Sequence, residues 1–466
     1  MKTFLAPLVA ALVLAGCVTV PDIDPAALPV TPVAFKEGDG RWITARPADN
    51  QPRGEWWKAF NDPVLDGLVA RADVNNATIT VAAARLAQSR AYLQSANADR
   101  WPQLGVGASA SRAGGVASAN GAGLPPGTLT TVGANLSYEI DLFGKLANAE
   151  KAASLDAQAR AALLENTRLL VQADVAQVYF ALRGLDEERA LVRRTVTTYR
   201  DALSLTERRY RAGDVAELDV ARAMTEVAAT EAEAFAIDRR RAELEHALAV
   251  LVGEPASTFR LDEAPWSTAL PVIPAGVPST VLARRPDVAA AQRTVLASNA
   301  RVGVAQAAWF PDISLTGAAG YASPEIGDIF KWSARAWGIG ALLSLPIFDG
   351  GRREAGVNFA SAERDASVAK YREQVLVAFK DVEDQLSALR YLADQSGAQE
   401  RAVTSATRST TLSDARYRNG YVSQLDLLLA QRSELANRRQ SVQVRSAQYQ
   451  ATVGLVRALG GGWGES

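Results

Sequence analysis

Two hydrophobic periods run through this chain. Within 144–212, Leu164, Val171, Val178, Leu185, Val192 and Tyr199 recur every seven residues, and Val175, Leu182, Val196, Leu203 and Tyr210 stand four positions after members of that series. A sustained seven-residue period with two apolar positions is coiled-coil packing. From Gly144 to about Ala212, and again from Gly351 to about Asn419, no proline occurs, and the only interior glycines are Gly184, Gly356 and Gly397. At ~1.5 Å of rise per residue each predicted helix runs on the order of 100 Å. The second stretch keeps a weaker series through Val375, Val382, Leu389, Val403 and Tyr417. Its gaps at Gln385, Ser396 and Gln399 predict a face shared with water or with a neighbour.

The other period is two. Leu104, Val106, Ala108 and Ala110 alternate with Gly105, Gly107, Ser109 and Ser111, and Leu136, Tyr138 and Ile140 alternate with Asn135, Ser137 and Glu139. Further on, Ile313, Leu315, Gly317, Ala319 and Tyr321 fall on one face, and another run extends from Trp337 to Phe348. Segments of about ten residues with this weak amphipathicity have the length of transmembrane β-strands, although Gly-rich hairpins can also cap a helical domain. Ahead of the first strand, a helical pattern from about Val64 to Arg100 is stopped by Pro102.

These pieces occur twice. Arg209-Tyr210-Arg211-Ala212-Gly213 and the residues up to Asp219 answer Arg416-Tyr417-Arg418-Asn419-Gly420 and the residues up to Asp426, at an offset of 207. The same offset relates Leu136 to Leu343, Gly144 to Gly351 and Gly253 to Gly460, while Trp101-Pro102 answers Phe310-Pro311 at an offset of 209. Each copy reads as helix, strand, strand, long helix, turn, helix. Two copies are too few for a solenoid, so they are expected to pack side by side. The predicted organisation is a signal peptide over 1–16, a lipidated segment over 17–60, one copy over 61–253, a Pro-rich linker over 254–280, a second copy over 281–460 and a short tail over 461–466. Pro255, Pro265, Pro271, Pro274 and Pro278 prevent the linker from being one continuous helix.

Composition narrows the reading. Hydrophobic residues make up 48% of the 466 positions, yet after the start no run of eighteen apolar residues occurs. A membrane crossing must then be a closed β-barrel, because lipid forbids unpaired strand edges. Four strands cannot close, whereas three chains pooling theirs give about twelve. Lys2, the apolar stretch Phe4–Leu14 and the small residues before Cys17 form an export signal, too short to span about 30 Å of hydrocarbon. Leu14-Ala15-Gly16-Cys17 also resembles a lipobox, which makes Cys17, the sole cysteine, the predicted lipid anchor. Three acyl chains hold firmly where one binds marginally. Val18 stands where lipoproteins retained in the inner membrane commonly carry Asp, so an outer-membrane destination is expected.

With one cysteine and one histidine the chain offers no disulfide and little for a transition metal. His246 lies among Arg239, Arg240, Arg241, Glu243 and Glu245 and reads as a solvated or packed position. Loss of Lys2 with the signal takes the formal charge from −1 to −2, and nothing points to nucleic acid. No catalytic constellation or noncovalent cofactor motif stands out.

The set of motifs is specific as a whole. Cys17, the segment Trp56-Trp57-Lys58-Ala59-Phe60-Asn61-Asp62-Pro63, the junction Asp141-Leu142-Phe143-Gly144-Lys145, the segment Arg284-Arg285-Pro286-Asp287-Val288, the Phe310-Pro311 step and the paired turns at Gly213 and Gly420 resemble the TolC-like outer-membrane factors. The likeness is to their lipidated branch, which serves resistance-nodulation-division efflux pumps. It implies a mostly α protein with transmembrane β: a homotrimer with a shared twelve-stranded barrel, a periplasmic helical barrel and an equatorial collar. It also implies a periplasmic adaptor and an inner-membrane pump as partners.

By the same resemblance the turns at Gly213 and Gly420 form the periplasmic mouth and meet the adaptor. Asp219 and Asp426, six residues beyond those glycines, match acids that ring or latch the entrance, and Tyr417 matches a tyrosine that bonds toward the neighbouring hairpin. Val422 and Leu429 depart from the family, standing where a latch arginine and a second ring acid can occur, which predicts a weaker salt-bridged lock. Three carboxylates near one axis would raise one another's pKa values and attract cations. Helix capping competes for the same residues, since Asp214 with Glu217 and Ser423 with Asp426 have capping-box spacing. The alternatives are a periplasmic adaptor lipoprotein, expected to have a single hairpin, and the exit duct of a type I secretion system.

Overall fold

The proline-free stretches fold as two long helices of equal length in the computed structural model, which describes residues 35–37, 54–116, 123–271 and 284–461. In chain order the elements are α1 (Pro63–Asn75), α2 (Ala77–Ala98), β1 (Gln103–Val116), β2 (Gly123–Ile140), α3 (Lys145–Arg211) and α4 (Glu217–Leu251). The second copy supplies α5 (Pro286–Ala307), β3 (Asp312–Ser323), β4 (Arg335–Ser344), α6 (Arg352–Arg418) and α7 (Gln424–Ala458). Helices α3 and α6 have 67 residues each, and α4 and α7 have 35 each. Both ends of both pairs obey the offset of 207, and α5 follows α2 at 209. Cys17, the signal and linker residues 272–280 lie outside the described residues, as does the tail beyond Gly461.

Three sequence expectations are corrected. The pattern over 64–100 breaks at Asn76, whose backbone is extended. Its side-chain oxygen accepts from the N–H groups of Thr78 (2.9 Å) and Ile79 (3.2 Å), so the short amide starts a new helix instead of continuing the old one. Strand β4 ends at Ser344, leaving Leu345 to Phe348 outside the ladder. The box between Asp214 and Glu217 does not form, because the N-cap of α4 is Ala216.

The contacts divide the chain into two units, one including Arg85–Ala161 and Ala290–Glu373, the other including Ala162–Ala289 and Gln374–Ser466. The first holds a four-stranded antiparallel sheet in the order β1-β2-β3-β4. The inner pair, β2 and β3, comes from different copies. Register sorts most of the side chains by face, with Leu129 and Leu342 as large apolar exceptions on the polar side. Leu104, Leu136, Gly317 and Ile339 form one row across all four strands, and Val106, Ala134, Ala319 and Trp337 form the next. The opposite face carries Gln103, Ser137, Thr316 and Gly340, then Gly105, Asn135, Ala318 and Gly338. On that face Gly133 and Gly320 approach so closely that a Cβ on Gly320 would lie 2.4 Å from the Gly133 Cα, so small residues are required there.

At the foot of the sheet, Asp141 accepts from the N–H groups of Leu146 (3.2 Å) and Ala147 (2.7 Å), capping α3 after Gly144 turns the chain at a φ of 75°. Asp349 does the same for α6 through Gly351 and Arg353. Lys145 reaches Glu139 at 2.9 Å and Asp312 at 3.2 Å, bridging the two acids on the polar face.

In the helical unit the seven-residue series is the core: Val171, Val175, Leu182, Val192 and Tyr199 of α3 and Val375 and Val382 of α6 are buried. Two of the polar gaps of α6 meet a neighbour. Gln399 donates to the Asn437 carbonyl at 2.9 Å, and Gln385 lies over Gly454, both partners being on α7.

Candidate functional site

Two regions carry the functional geometry, and the first is the sheet. Its apolar face turns Val106 (83% exposed), Trp337 (79%) and Ile339 (85%) outward with none of the described residues over them. Water would penalise such a face by roughly 25 cal/mol per Å2, whereas hydrocarbon accepts it. The polar face, with Gly107, Ser109, Thr131, Gly133, Asn135 and Gly320, lines a groove. One face suits lipid and the other an aqueous lumen. Among the described residues both edge strands, β1 and β4, lack a partner on their outer side. Among the described residues no helix is long and apolar enough to cross a membrane.

The second region is the pair of hairpin tips. Helix α3 ends with Gly213 at a φ of 84°, where Gly213 N donates to Tyr210 O (2.9 Å) and Asp214 N to Arg209 O (2.9 Å). Helix α6 ends with Gly420 at 77° and the same pair of bonds, from Gly420 N to Tyr417 O (3.0 Å) and from Tyr421 N to Arg416 O (2.9 Å). This paired closure needs a left-handed residue, which is why glycine stands at both turns. The tips differ beyond the turn. Ser423 and Asp426 form a full capping box, with Asp426 Oδ2 accepting from Ser423 Oγ (2.6 Å) and Ser423 N (3.0 Å). Those bonds, with Arg416 nearby, hold the Asp426 carboxyl below the ordinary carboxylate range. Asp219 caps nothing with its side chain and faces Arg222 at 3.7 Å. Tyr417 is buried with the Arg209 guanidinium 5.1 Å over its ring, so the second tip rests on the first, while the equivalent Tyr210 is exposed.

Behind the tips, α7 is clamped to the first hairpin. Gln424 donates to Thr206 Oγ1 at 2.9 Å, Arg432 pairs with Glu226 at 2.5 Å, and Arg439 bonds Glu188 (2.7 Å) and Glu233. The first part of the linker is strapped over the same unit by arginines that donate to its carbonyls: Arg183 to Asp262 (2.8 Å), Arg241 to Leu261 (2.7 Å) and Arg445 to Trp266 (2.9 Å). Trp266, Phe60, Phe180 and Tyr449 pack as one aromatic cluster. Tyr179 donates to Asp62 at 2.6 Å, and burial, reinforced by that bond, pushes its hydroxyl up to about 12. The described part of the strap, 254–271, contains no helix, as the prolines require.

The model of the outer membrane efflux protein family matches residues 68–254 and 277–461, one copy of the repeat each, both ending just past the glycines that close α4 and α7. The chain belongs to this family. Over the full chain it is 32% identical to the probable efflux pump outer membrane protein TtgC of Pseudomonas putida, covering 96% of that protein. It is also 32% identical to the cation efflux system protein CusC of Escherichia coli, over 98% of both chains. Among solved structures, the outer-membrane channel OprN superposes with a TM-score of 0.88 at 29% identity, covering 96% of this chain and 100% of that one. The chain is therefore an outer-membrane efflux channel with a periplasmic extension.

One device of the efflux protein escaped the sequence reading. Asn76 Nδ2 donates to the Leu251 carbonyl at 2.8 Å, and Arg285 Nη1 donates to the Ala458 carbonyl at 3.1 Å. Asn76 and Arg285 are equivalent at the offset of 209, and Leu251 and Ala458 at 207. In both copies the residue ahead of the first paired helix clasps the end of the returning one. Aligning the copies over 76 and 285 would have exposed the position, though not its partner.

Proposed function

We propose that three copies of this chain close their sheets into one barrel, forming the passive exit duct of a tripartite pump. The duct performs no chemistry of its own. The observation that carries this reading is the sheet whose faces are sorted for lipid and water while both edges stay unpaired. Lipid leaves no way to satisfy those edges except pairing β4 of one chain with β1 of the next. A homotrimer uses four strands from each chain. An adaptor would engage the tips at Gly213 and Gly420, and an inner-membrane pump, of the resistance-nodulation-division type by resemblance, would supply cargo and energy. Cys17 carries the lipid anchor. Met224 is the single methionine of the chain after its signal, so the duct has few soft ligands for a metal cargo.

At the mouth we assign Asp219 and Asp426 different weights. Asp426 is committed to the start of α7, and Tyr417 fixes one tip against the other. Asp219 is released from capping and available to line the opening. Because the Asp426 carboxyl is depressed in the folded chain, its cap is present above the ordinary carboxylate range near ~3.9 and is lost as pH falls through the lower folded value. Acid should therefore loosen the start of α7 only below the ordinary carboxylate range. In planar bilayers, Asp219→Asn should lower the cation-to-anion permeability ratio severalfold and Asp426→Asn should lower it less. An unchanged ratio in both removes the gate assignment and leaves the duct in place.

A further inference from the structure

The apolar face of the sheet carries charge at two of its described side chains, and both are arginines. Arg112 follows Ala110 on that face of β1, and Arg335 pairs with Tyr321 at the start of β4. Both are exposed, and both lie at the end of the sheet remote from the helices. They also stand on the two edge strands, whereas the inner strands β2 and β3 carry no charged side chain among the described positions of this face.

The surroundings suit an interface. In the loop before β4, Ile326 (80% exposed), Phe330 (72%) and Trp332 (72%) project outward. Arg335 Nε donates to the Trp332 carbonyl at 2.7 Å and its guanidinium lies 3.2 Å from the centre of that ring, leaving its terminal nitrogens for another acceptor. Arg112 has no hydrogen-bond or ion-pair partner among the described residues. A charge facing hydrocarbon is tolerated at headgroup level, where aromatic rings also collect. A planar guanidinium at that level matches a phosphate with two parallel hydrogen bonds.

We propose that Arg112 and Arg335 bind the phosphorylated sugar headgroup of the outer-leaflet glycolipid at the seams between chains. The proposal rests on the shared-barrel reading, in which β4 of one chain pairs with β1 of the next and sets side by side the two edge strands that carry these arginines. Trp332 and Phe330 flank the sugar, and Trp337 and Ile339 lie along its acyl chains. The charge sign selects an anion. The end of the sheet selects the outer leaflet, since the helices occupy the periplasmic side.

The test uses the purified full-length protein in detergent, incubated separately with bisphosphorylated lipid A, dephosphorylated lipid A and phosphatidylglycerol, and read by native mass spectrometry. The wild type should retain the bisphosphorylated form at least about tenfold more than either other lipid. Arg112→Gln with Arg335→Gln should abolish that preference, and Arg112→Lys with Arg335→Lys should keep part of it. Equal retention of the three lipids by the wild type overturns the proposal without any variant, and so does an undiminished preference in the double Gln protein. The same preparation is assayed for conductance. Conducting channels with no lipid preference overturn this proposal alone, whereas particles that neither conduct nor contain more than one chain overturn the duct.

Discussion

Arg285→Ala should be the most damaging single truncation in the helical unit, at about 3–5 kcal/mol, the range for removing one partner of a buried charge cluster. Arg285 is 7% exposed and makes three attachments. It bonds Asp287 at 2.7 Å, Asp381 at 3.2 Å and the Ala458 carbonyl at 3.1 Å. Truncation leaves Asp287 without a cation, Asp381 with only Lys380 at 3.7 Å, and the end of α7 without its donor. Gly460, packed 2.9 Å from the Arg284 carbonyl by the position of its missing Cβ, fixes the same junction and gives it no room to relax. Arg285→Lys keeps the charge but cannot reproduce a fork that serves two acids and a carbonyl, so it should restore only part of the loss. Asn76→Ala, at the equivalent position of the first copy, removes a neutral clasp and an N-cap and should cost about 0.5–2 kcal/mol. Urea titrations of the three variants followed by far-ultraviolet circular dichroism check the order. Equal losses for Arg285→Ala and Asn76→Ala would refute the charge argument.

The second large effect concerns the sheet. Ile339 sits in the middle of β4 on the apolar face, 85% exposed in one chain. An arginine at the bilayer midplane of a barrel costs about 2–4 kcal/mol, and a threefold assembly incurs it three times. Ile339→Arg should therefore abolish insertion. Thr316→Arg, next to it in the ladder but on the polar face, should leave the assembly intact and change conductance instead. Counting heat-modifiable particles in isolated outer membranes separates the outcomes. Tolerance of arginine at both positions contradicts the assignment of faces.

Much of this was legible from residues because the devices are local. The glycines that end α3, α4, α6 and α7 announce themselves by recurring at one offset, and a seven-residue series cannot be built by accident over the length of α3. The strands were legible by their alternation. Their partners were not, since pairing β2 with β3 across the two copies is a long-range choice that no local pattern encodes. The break at Asn76 was hidden because no proline or glycine marks it, and the N-cap preference of a single asparagine is a weak signal inside an unbroken helical pattern. At the tips, matching sequence positions concealed unlike roles: Asp426 finds Ser423 three residues before it, whereas Asp219 finds Ala216 and caps nothing. The clasp by Arg285 depends on a carbonyl 173 residues away, which only the folded chain brings near.

The central claim is that one chain's sheet is incomplete and that three chains complete it. Native mass spectrometry of the particle extracted from the outer membrane counts the chains directly. Three chains held together until heated is the predicted result. A stable single chain, taken from the membrane with β1 and β4 still unpaired, would contradict it.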